Sequence, residues 1–234
     1  MKELAPLGRE YRIVHKDSPS ARGIDCAVLY DAKQVKAVFE GFHFVDLPPE
    51  KLSRDIVEVE FEKDGKRLTV FMNHWPSRAN PEEHRVTAAK TLRKRLDALL
   101  KLDPAADFVV LGDLNDTPAN ESVKTHLRAG DAPTGLTDGK LYDTVWPLVN
   151  AGKGTYVFDN KWDAIDHIIV SPGMLDDKNF RWKSDSTEAV AFDFQIFTPA
   201  NPKMIPRPNR LYTGDMFHET GVSDHLPVAC VLTY

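Results

Sequence analysis

The sequence predicts an α/β sandwich in which strands outnumber helices. Three observations predict it. Short apolar runs bounded by turn-forming residues recur along most of the 234 residues. The strongest helical periodicity lies between two such runs, not beside another helix. Hydrophobic residues (42%) and charged residues (28%) stand at ordinary globular levels, enough for a sizeable core without staples.

The elements follow in order. Residues 11–14 and 23–30 are apolar runs between turn formers and read as strands. Residues 56–61 (IVEVEF) and 67–73 (RLTVFMN) flank Asp64-Gly65, a pair that favours a tight hairpin turn. Alternation in IVEVEF predicts one buried face and one wet face. Pro81 opens a helix running to about residue 102, where Asp103-Pro104 stops it. Val86, Ala89, Leu92, Leu96, Leu99 and Leu100 form its apolar stripe, and Arg85, Lys90, Arg93, Lys94 and Asp97 its solvated face. Residues 108–111 (FVVL) and 165–170 make buried strands, and 121–128 a short helix. Residues 176–220 read as irregular surface with one strand at 189–197, before a last strand at 227–234.

Bulk properties narrow the function. A formal net charge of −5 gives no global basic field to attract nucleic acid. No stretch approaches the roughly 18 apolar residues of a membrane span. The first residues, MKELAPLGREYRIVHKD, lack the apolar segment of a signal peptide. Cys26 and Cys230, the only cysteines, sit in strand-like runs and read as buried thiols.

Chemistry concentrates at strand ends. Asn73-His74, Asp113-Leu114-Asn115, Asp166-His167 and Ser223-Asp224-His225 each stand at or beside a predicted strand. A hard oxygen ligand such as Asp224 suits Mg²⁺ or Mn²⁺. A histidine held by a carboxylate is a general base near neutral pH. Asp113 and Asn115, at alternate positions, can face one way: the carboxylate orients an attacking water while the amide donates to a phosphate oxygen. His74 can donate to developing negative charge.

The motifs resemble those of one family. Gly112-Asp113-Leu114-Asn115 is similar to the GDxN motif of the endonuclease/exonuclease/phosphatase family, and Ser223-Asp224-His225-Leu226-Pro227-Val228 to its terminal SDHxPV motif. Ile165-Asp166-His167-Ile168 with Ser171 resembles the family's IDxIxxS strand, and Asn73-His74-Trp75 its NxH loop. The resemblance runs from Tyr11 to the C-terminus and implies one domain over residues 1–234 with a DNase I-like sandwich of two packed, mostly antiparallel sheets flanked by helices. It implies a Mg²⁺- or Mn²⁺-dependent phosphoesterase with His225 as the base activating water and Asp166 orienting it. Asp113 and Asn115 would position the nucleophile and scissile phosphate, and His74 would contact the phosphate. Asp224 would be the metal ligand, with Arg22 and Arg78 as further phosphate contacts. Tyr156 and Trp162 are candidates for a substrate pocket, whereas Asp116 and His167 read as local hydrogen-bonding residues.

The pattern departs from the family at its start. Members carry an Asn strand and a metal-binding Gln-Glu pair before the segment that Arg22-Gly23-Ile24-Asp25 resembles, and neither Glu3 nor Glu10 follows an apolar strand. The expectation is therefore an N-terminally incomplete domain, missing one or more strands and weak or inactive as an enzyme. Dimerisation or a strand swap would cover the exposed edge. The alternative is a binding module that keeps the fold without the chemistry. Substrate identity stays open among nucleic acid, a phospholipid headgroup and a small phosphodiester. The acidic balance leans away from a dedicated DNA enzyme, and cellular location is unassigned.

Overall fold

In the computed structural model the described residues are 8–20 and 23–234; Arg22 lies outside them. Strands β1 (Tyr11–His15) and β2 (Ala27–Asp31) pair antiparallel with each other. Then β3 (Lys36–His43), β4 (Ile56–Lys63) and β5 (Lys66–His74) form an antiparallel meander. The β4–β5 turn has positive φ at both Asp64 (51°) and Gly65 (79°), the backbone its Asp-Gly pair favours. Helix α1 (Glu82–Leu102) then crosses over so that β6 (Phe108–Asp113) lies parallel to β5. A parallel neighbour requires such a crossover, which explains why the strongest helical signal sits between two strands.

After a π-helical turn at Ser122–His126 come β7 (Ala129–Gly130), β8 (Leu141–Asp143) and helix α2 (Trp146–Asn150). Hairpin β9 (Tyr156–Phe158) and β10 (Lys161–Asp163) leads into β11 (Asp166–Val170). The central sheet has seven strands in the order β3-β4-β5-β6-β11-β8-β7. The remaining strands are two residues each: β12 (Arg181–Trp182), β13 (Glu188–Ala189), β14 (Ile196–Phe197), β15 (Arg207–Pro208), β16 (Tyr212–Thr213), β17 (Met216–Phe217), β18 (Val228–Ala229) and β19 (Leu232–Thr233). The second layer of the sandwich carries its antiparallel pairing as separate ladders, among them β1-β2, β12-β19 and β13-β18.

Both faces of the central sheet are covered. Ala88, Ala89, Leu92 and Leu96 of α1 pack on Phe71, Phe108, Val110 and Ile169. The alternate residues Val57, Val59, Val70, Val109, Ile168 and Val170 pack with Val14, Phe180 and Trp182 of the second layer. Double coverage is why FVVL reads as a continuous apolar run. Truncating a buried leucine such as Leu92 would cost about 2–5 kcal/mol, through lost transfer energy plus the cavity left behind.

Several expectations are corrected here. IVEVEF has no wet face: Glu58 is 1% exposed, chelated by Arg95 at 2.8 and 2.7 Å and bonded to His43 at 2.6 Å. The alternation was real, but its polar side carries an ion pair beneath α1, not water. Arg85 and Arg93 likewise leave the solvated helix face. Arg85 Nε lies 2.8 Å from Asp116 Oδ1, and Arg93 donates to Asp97 and to the Gly139 carbonyl. Strand β3 was not anticipated, because an edge strand of mixed exposure with a bulge between Ala37 and Phe39 carries little period. The single strand expected at 189–197 is two short strands separated by a 3-10 turn at Asp193–Gln195, since Gln195 closes that turn onto the Phe192 N–H. The strand expected at 227–234 is likewise split, into β18 and β19. Cys26 is buried and Cys230 half-buried, and burial pushes both thiols up to about 11. Among the described residues no helix is long and apolar enough to cross a membrane.

Candidate active site

Strand register assembles the site. His74 ends β5 opposite Asp113, which ends β6, and Asp113 faces Asp166 at the start of β11. Three neighbouring strand ends thus set His74, Asp113 and Asp166 in one row. Gly112 makes this approach feasible: its φ is +122°, and a Cβ there would lie 2.0 Å from the Asn73 carbonyl oxygen. Directly after β6 the chain turns at Asn115, whose left-handed φ of 53° an asparagine tolerates. That turn lets Asn115 reach back, its backbone N–H bonding Asp113 Oδ1 at 2.8 Å and its side-chain amide bonding Asp113 Oδ2 at 3.1 Å and the Trp75 carbonyl at 3.0 Å. With both amide hydrogens so engaged, Asn115 clamps Asp113, and an amide donation to phosphate would compete with these bonds.

His225 comes from the far end of the chain. A bridge between Tyr156 and His225, and the Leu226 N–H bonded to the Thr155 carbonyl, dock the terminal segment on β9. The imidazole then places Nδ1 2.8 Å from Asp166 Oδ2, which also accepts the Thr155 hydroxyl at 2.5 Å. The Tyr156 ring lies 4.9 Å from the His225 ring and carries the Arg210 guanidinium on it at 5.4 Å. His225 Nε2 has no bonding partner among the described residues.

These groups line one cavity of about 800 Å³ that includes His74, Arg78, Asp113, Asn115, Asp166, Asp224 and His225. Every described residue expected to take part in catalysis, metal binding or phosphate contact therefore lines the same cavity. Arg78 sits at its edge, with Nη1 on Asp163 Oδ2 at 2.7 Å and Nε on the Asn115 carbonyl at 3.0 Å. Tyr156 lines it as expected. Trp162 does not; it lines a smaller neighbouring cavity. Asp116 and His167 stay outside, as local hydrogen-bonding residues: His167 bonds Asp143 and the Asp116 carbonyl.

Sequence reasoning missed Thr155, which seats Asp166, and Arg54, a buried cation lining the cavity. Thr155 carries no motif. Arg54 sits two residues before β4, where a charged residue reads as a turn, and only its burial marks it out.

The electrostatics are those of crowded carboxylates. Burial pushes Asp113 up to about 6, and Asp166 alongside adds to the shift. At His225 burial lowers the pKa, but the bond to Asp166 and the charges of Asp166, Asp113 and Asp224 outweigh it and the net shift is upward. Such a pocket favours a cation. Asp113, Asp166 and His225 offer ligand atoms within 4.8 Å of one another, although Asp166 and His225 are already bonded together. Asp224, exposed at the cavity wall, makes no hydrogen bond among the described residues, so its carboxylate is uncommitted.

Comparison with known proteins agrees with this architecture. No curated protein matches the chain. Among solved structures, a mannosyl-6-phosphatase of Bacteroides thetaiotaomicron is 17% identical, with a TM-score of 0.60 over 96% of this chain and 77% of the other. The human Nocturnin catalytic domain with bound sulfate is 16% identical, with a TM-score of 0.61 over 100% of this chain and 75% of its own. D. rerio TDP2 complexed with a single-strand DNA product is also 16% identical, with a TM-score of 0.59 over 100% of this chain and 81% of its own. At such identities the likeness is one of fold. A sequence model of the endonuclease/exonuclease/phosphatase family, however, matches residues 2–233, nearly the whole chain, and on that match the chain belongs to this family.

Proposed function

We propose that this chain hydrolyses phosphoesters in the cavity at the ends of β5, β6 and β11, with His225 as the general base. The observation that carries the reading is the 2.8 Å bond from His225 Nδ1 to Asp166 Oδ2, which leaves Nε2 to meet a water. The Asp166 carboxylate holds Nδ1 as the donor, so Nε2 of the neutral ring is the basic atom. Thr155 keeps that carboxylate in place. Asp113, clamped by Asn115, lies beside the dyad and orients the attacking water. His74, whose Nε2 is 3.5 Å from Asp113 Oδ2, can donate to a phosphate oxygen as charge develops.

The family is hydrolytic and generally dependent on a divalent metal, and the donor set here fits one. Asp224 would hold Mg²⁺ or Mn²⁺, whose charge, when bound, neutralises phosphate oxygens. Arg78 serves as a phosphate contact at the cavity edge, held in position by Asp163 and the Asn115 carbonyl. The relatives' names span a sugar phosphatase and a DNA-product complex. The phosphoester, not the group it carries, is therefore the shared substrate chemistry.

Turnover of bis(p-nitrophenyl) phosphate with Mg²⁺ or Mn²⁺, by the wild type and by His225→Ala, tests the proposal. Metal-dependent turnover lost in the variant supports it; residual turnover equal to the wild type sinks it. Calorimetric titration with Mn²⁺ should show binding that Asp224→Ala weakens.

A further inference from the structure

Asn209, directly after β15, ties together the excursion between β13 and β18. Its N–H donates to the Gln195 carbonyl at 2.8 Å, and its side-chain amide to the carbonyls of Phe194 at 3.2 Å and Thr220 at 2.8 Å. Its own carbonyl accepts the N–H groups of Val222 at 2.7 Å and Ser223 at 3.1 Å. Ser223 leads into Asp224 and His225, so the chain is tied down immediately before the dyad. Gly221 permits the closeness: a Cβ there would lie 2.1 Å from the Arg210 carbonyl oxygen.

This tie sets the next residue, Arg210, against the Tyr156 ring. Its guanidinium carbon lies 5.4 Å from the ring centroid, within cation–π range, and Nη2 donates to the Val157 carbonyl at 3.2 Å. No carboxylate pairs with Arg210 among the described residues, so its cation is met by the ring and that carbonyl. The Tyr156 ring in turn lies 4.9 Å from the His225 imidazole, tilted by 42°, while the backbones of Tyr156 and His225 form their bridge. Arg210 does not line the main cavity; it meets the base through Tyr156.

We infer that Arg210 is a positioning residue for the base: it holds the Tyr156 ring, and that ring holds the His225 imidazole on Asp166. A single hydrogen bond, from Nδ1 to Asp166, leaves an imidazole free to rock about that bond. A ring packed against the imidazole removes this freedom. A cation on the same tyrosine, itself tied to the Val157 carbonyl, keeps the ring from turning away. Reacting groups lose rate steeply with small displacements, about a hundredfold for 1 Å, so a base that rocks is a slower base. The kinetic consequence rests on the proposed phosphoester hydrolysis; the ordering of the imidazole does not.

The test reads the imidazole directly, without metal or substrate. The Nδ1 proton of His225, bonded to Asp166, is followed as a downfield NMR resonance, assigned by its absence from His225→Ala. The wild type and Arg210→Lys, which keeps a cation for the ring, should show it sharp. Arg210→Gln and Tyr156→Leu should broaden it beyond detection, and Tyr156→Leu decides the matter should Arg210→Gln fail to fold. In turnover of bis(p-nitrophenyl) phosphate, Arg210→Gln should lower kcat about tenfold at unchanged KM, and Arg210→Lys should restore most of it. A resonance absent from the wild type, sharp in Arg210→Gln or Tyr156→Leu, or lost in Arg210→Lys overturns the inference. A raised KM at unchanged kcat in Arg210→Gln overturns it too, since that is the mark of a substrate contact. If the resonance behaves as expected but the wild type does not hydrolyse the diester, the catalytic reading alone fails.

Discussion

Two aspartate–histidine pairs stand side by side in this molecule and do opposite work. Asp166 and His167 are consecutive in β11, so their side chains leave opposite faces of the strand. On one face His167 Nδ1 meets Asp143 Oδ2 at 2.7 Å, with both side chains 0% exposed. On the other His225 Nδ1 meets Asp166 Oδ2 at 2.8 Å, with side chains 23% and 16% exposed. The bond lengths hardly differ; what differs is the second nitrogen. His167 Nε2 lies 2.8 Å from the Asp116 carbonyl oxygen, an acceptor, so that nitrogen must donate. Its Nδ1 faces a carboxylate, another acceptor, and so the ring is held as the imidazolium. Burial works against that charge, but Asp143 and the Asp116 carbonyl outweigh it and the pKa is raised. His225, with Nε2 open to a cavity, keeps one nitrogen for exchange with solvent or substrate. An Asp–His pair is thus a structural ion pair or a candidate base according to what faces its outer nitrogen.

Mutation at the two histidines would break this comparison most directly. His225→Ala should lower phosphodiester turnover about 10²–10⁴-fold while leaving Tm nearly unchanged, as steady-state kinetics and thermal melts would show. His167→Ala strands a buried carboxylate and should cost about 3–5 kcal/mol in denaturant unfolding. Equal loss of stability in both variants would erase the distinction. The buried pair also predicts a pH dependence. With the folded pKa of His167 above its ordinary 6.5, its contribution is complete below that value and is lost as pH rises through the folded pKa. His167→Ala should lack this alkaline fall in stability.

Asp166→Asn probes the same contrast more gently. The amide keeps the shape of the dyad but cannot favour the imidazolium, so turnover should fall about a hundredfold with little change in folding. Asp107 sharpens the rule from a third direction, as a buried carboxylate whose only hydrogen bond among the described residues is from the Phe180 N–H at 2.9 Å. Burial pushes it up to about 6. A carboxyl whose folded pKa exceeds its unfolded one stabilises fully at pH below about 4 and loses that contribution as pH rises through about 6. Asp107→Asn should therefore gain about 1 kcal/mol at pH 7 and nothing at pH 3, read from paired denaturant curves.

Much of the site was legible before any coordinates. Asp113, Asn115, Asp166, Asp224, His225 and His74 were marked by short motifs at strand ends, and strand ends are where a sheet can hold side chains in one row. Less of the fold could be read where signals are weak or where partners are distant. The edge strand β3 carries little period, and β12 to β19 are two residues each, too short for alternation to register. Glu58, Arg85 and Arg93 read as solvated because Arg95, Asp116 and the Gly139 carbonyl, which hold them, are distant in the chain and meet them only in the folded structure.

By itself the sequence determined the alternation of strand and crossover helix, the Asp64-Gly65 turn, and the residue types able to grip a phosphate. These are local properties, set by periodicity, turn chemistry and the ends of apolar runs. The family resemblance pairs Asp166 with His225, but only the tertiary structure shows how they meet, by docking of the terminal segment on β9. It also decided that His167, directly beside Asp166, is sealed away. Neighbours along a strand face opposite ways, and whether a face is core or cavity depends on what the rest of the chain lays against it.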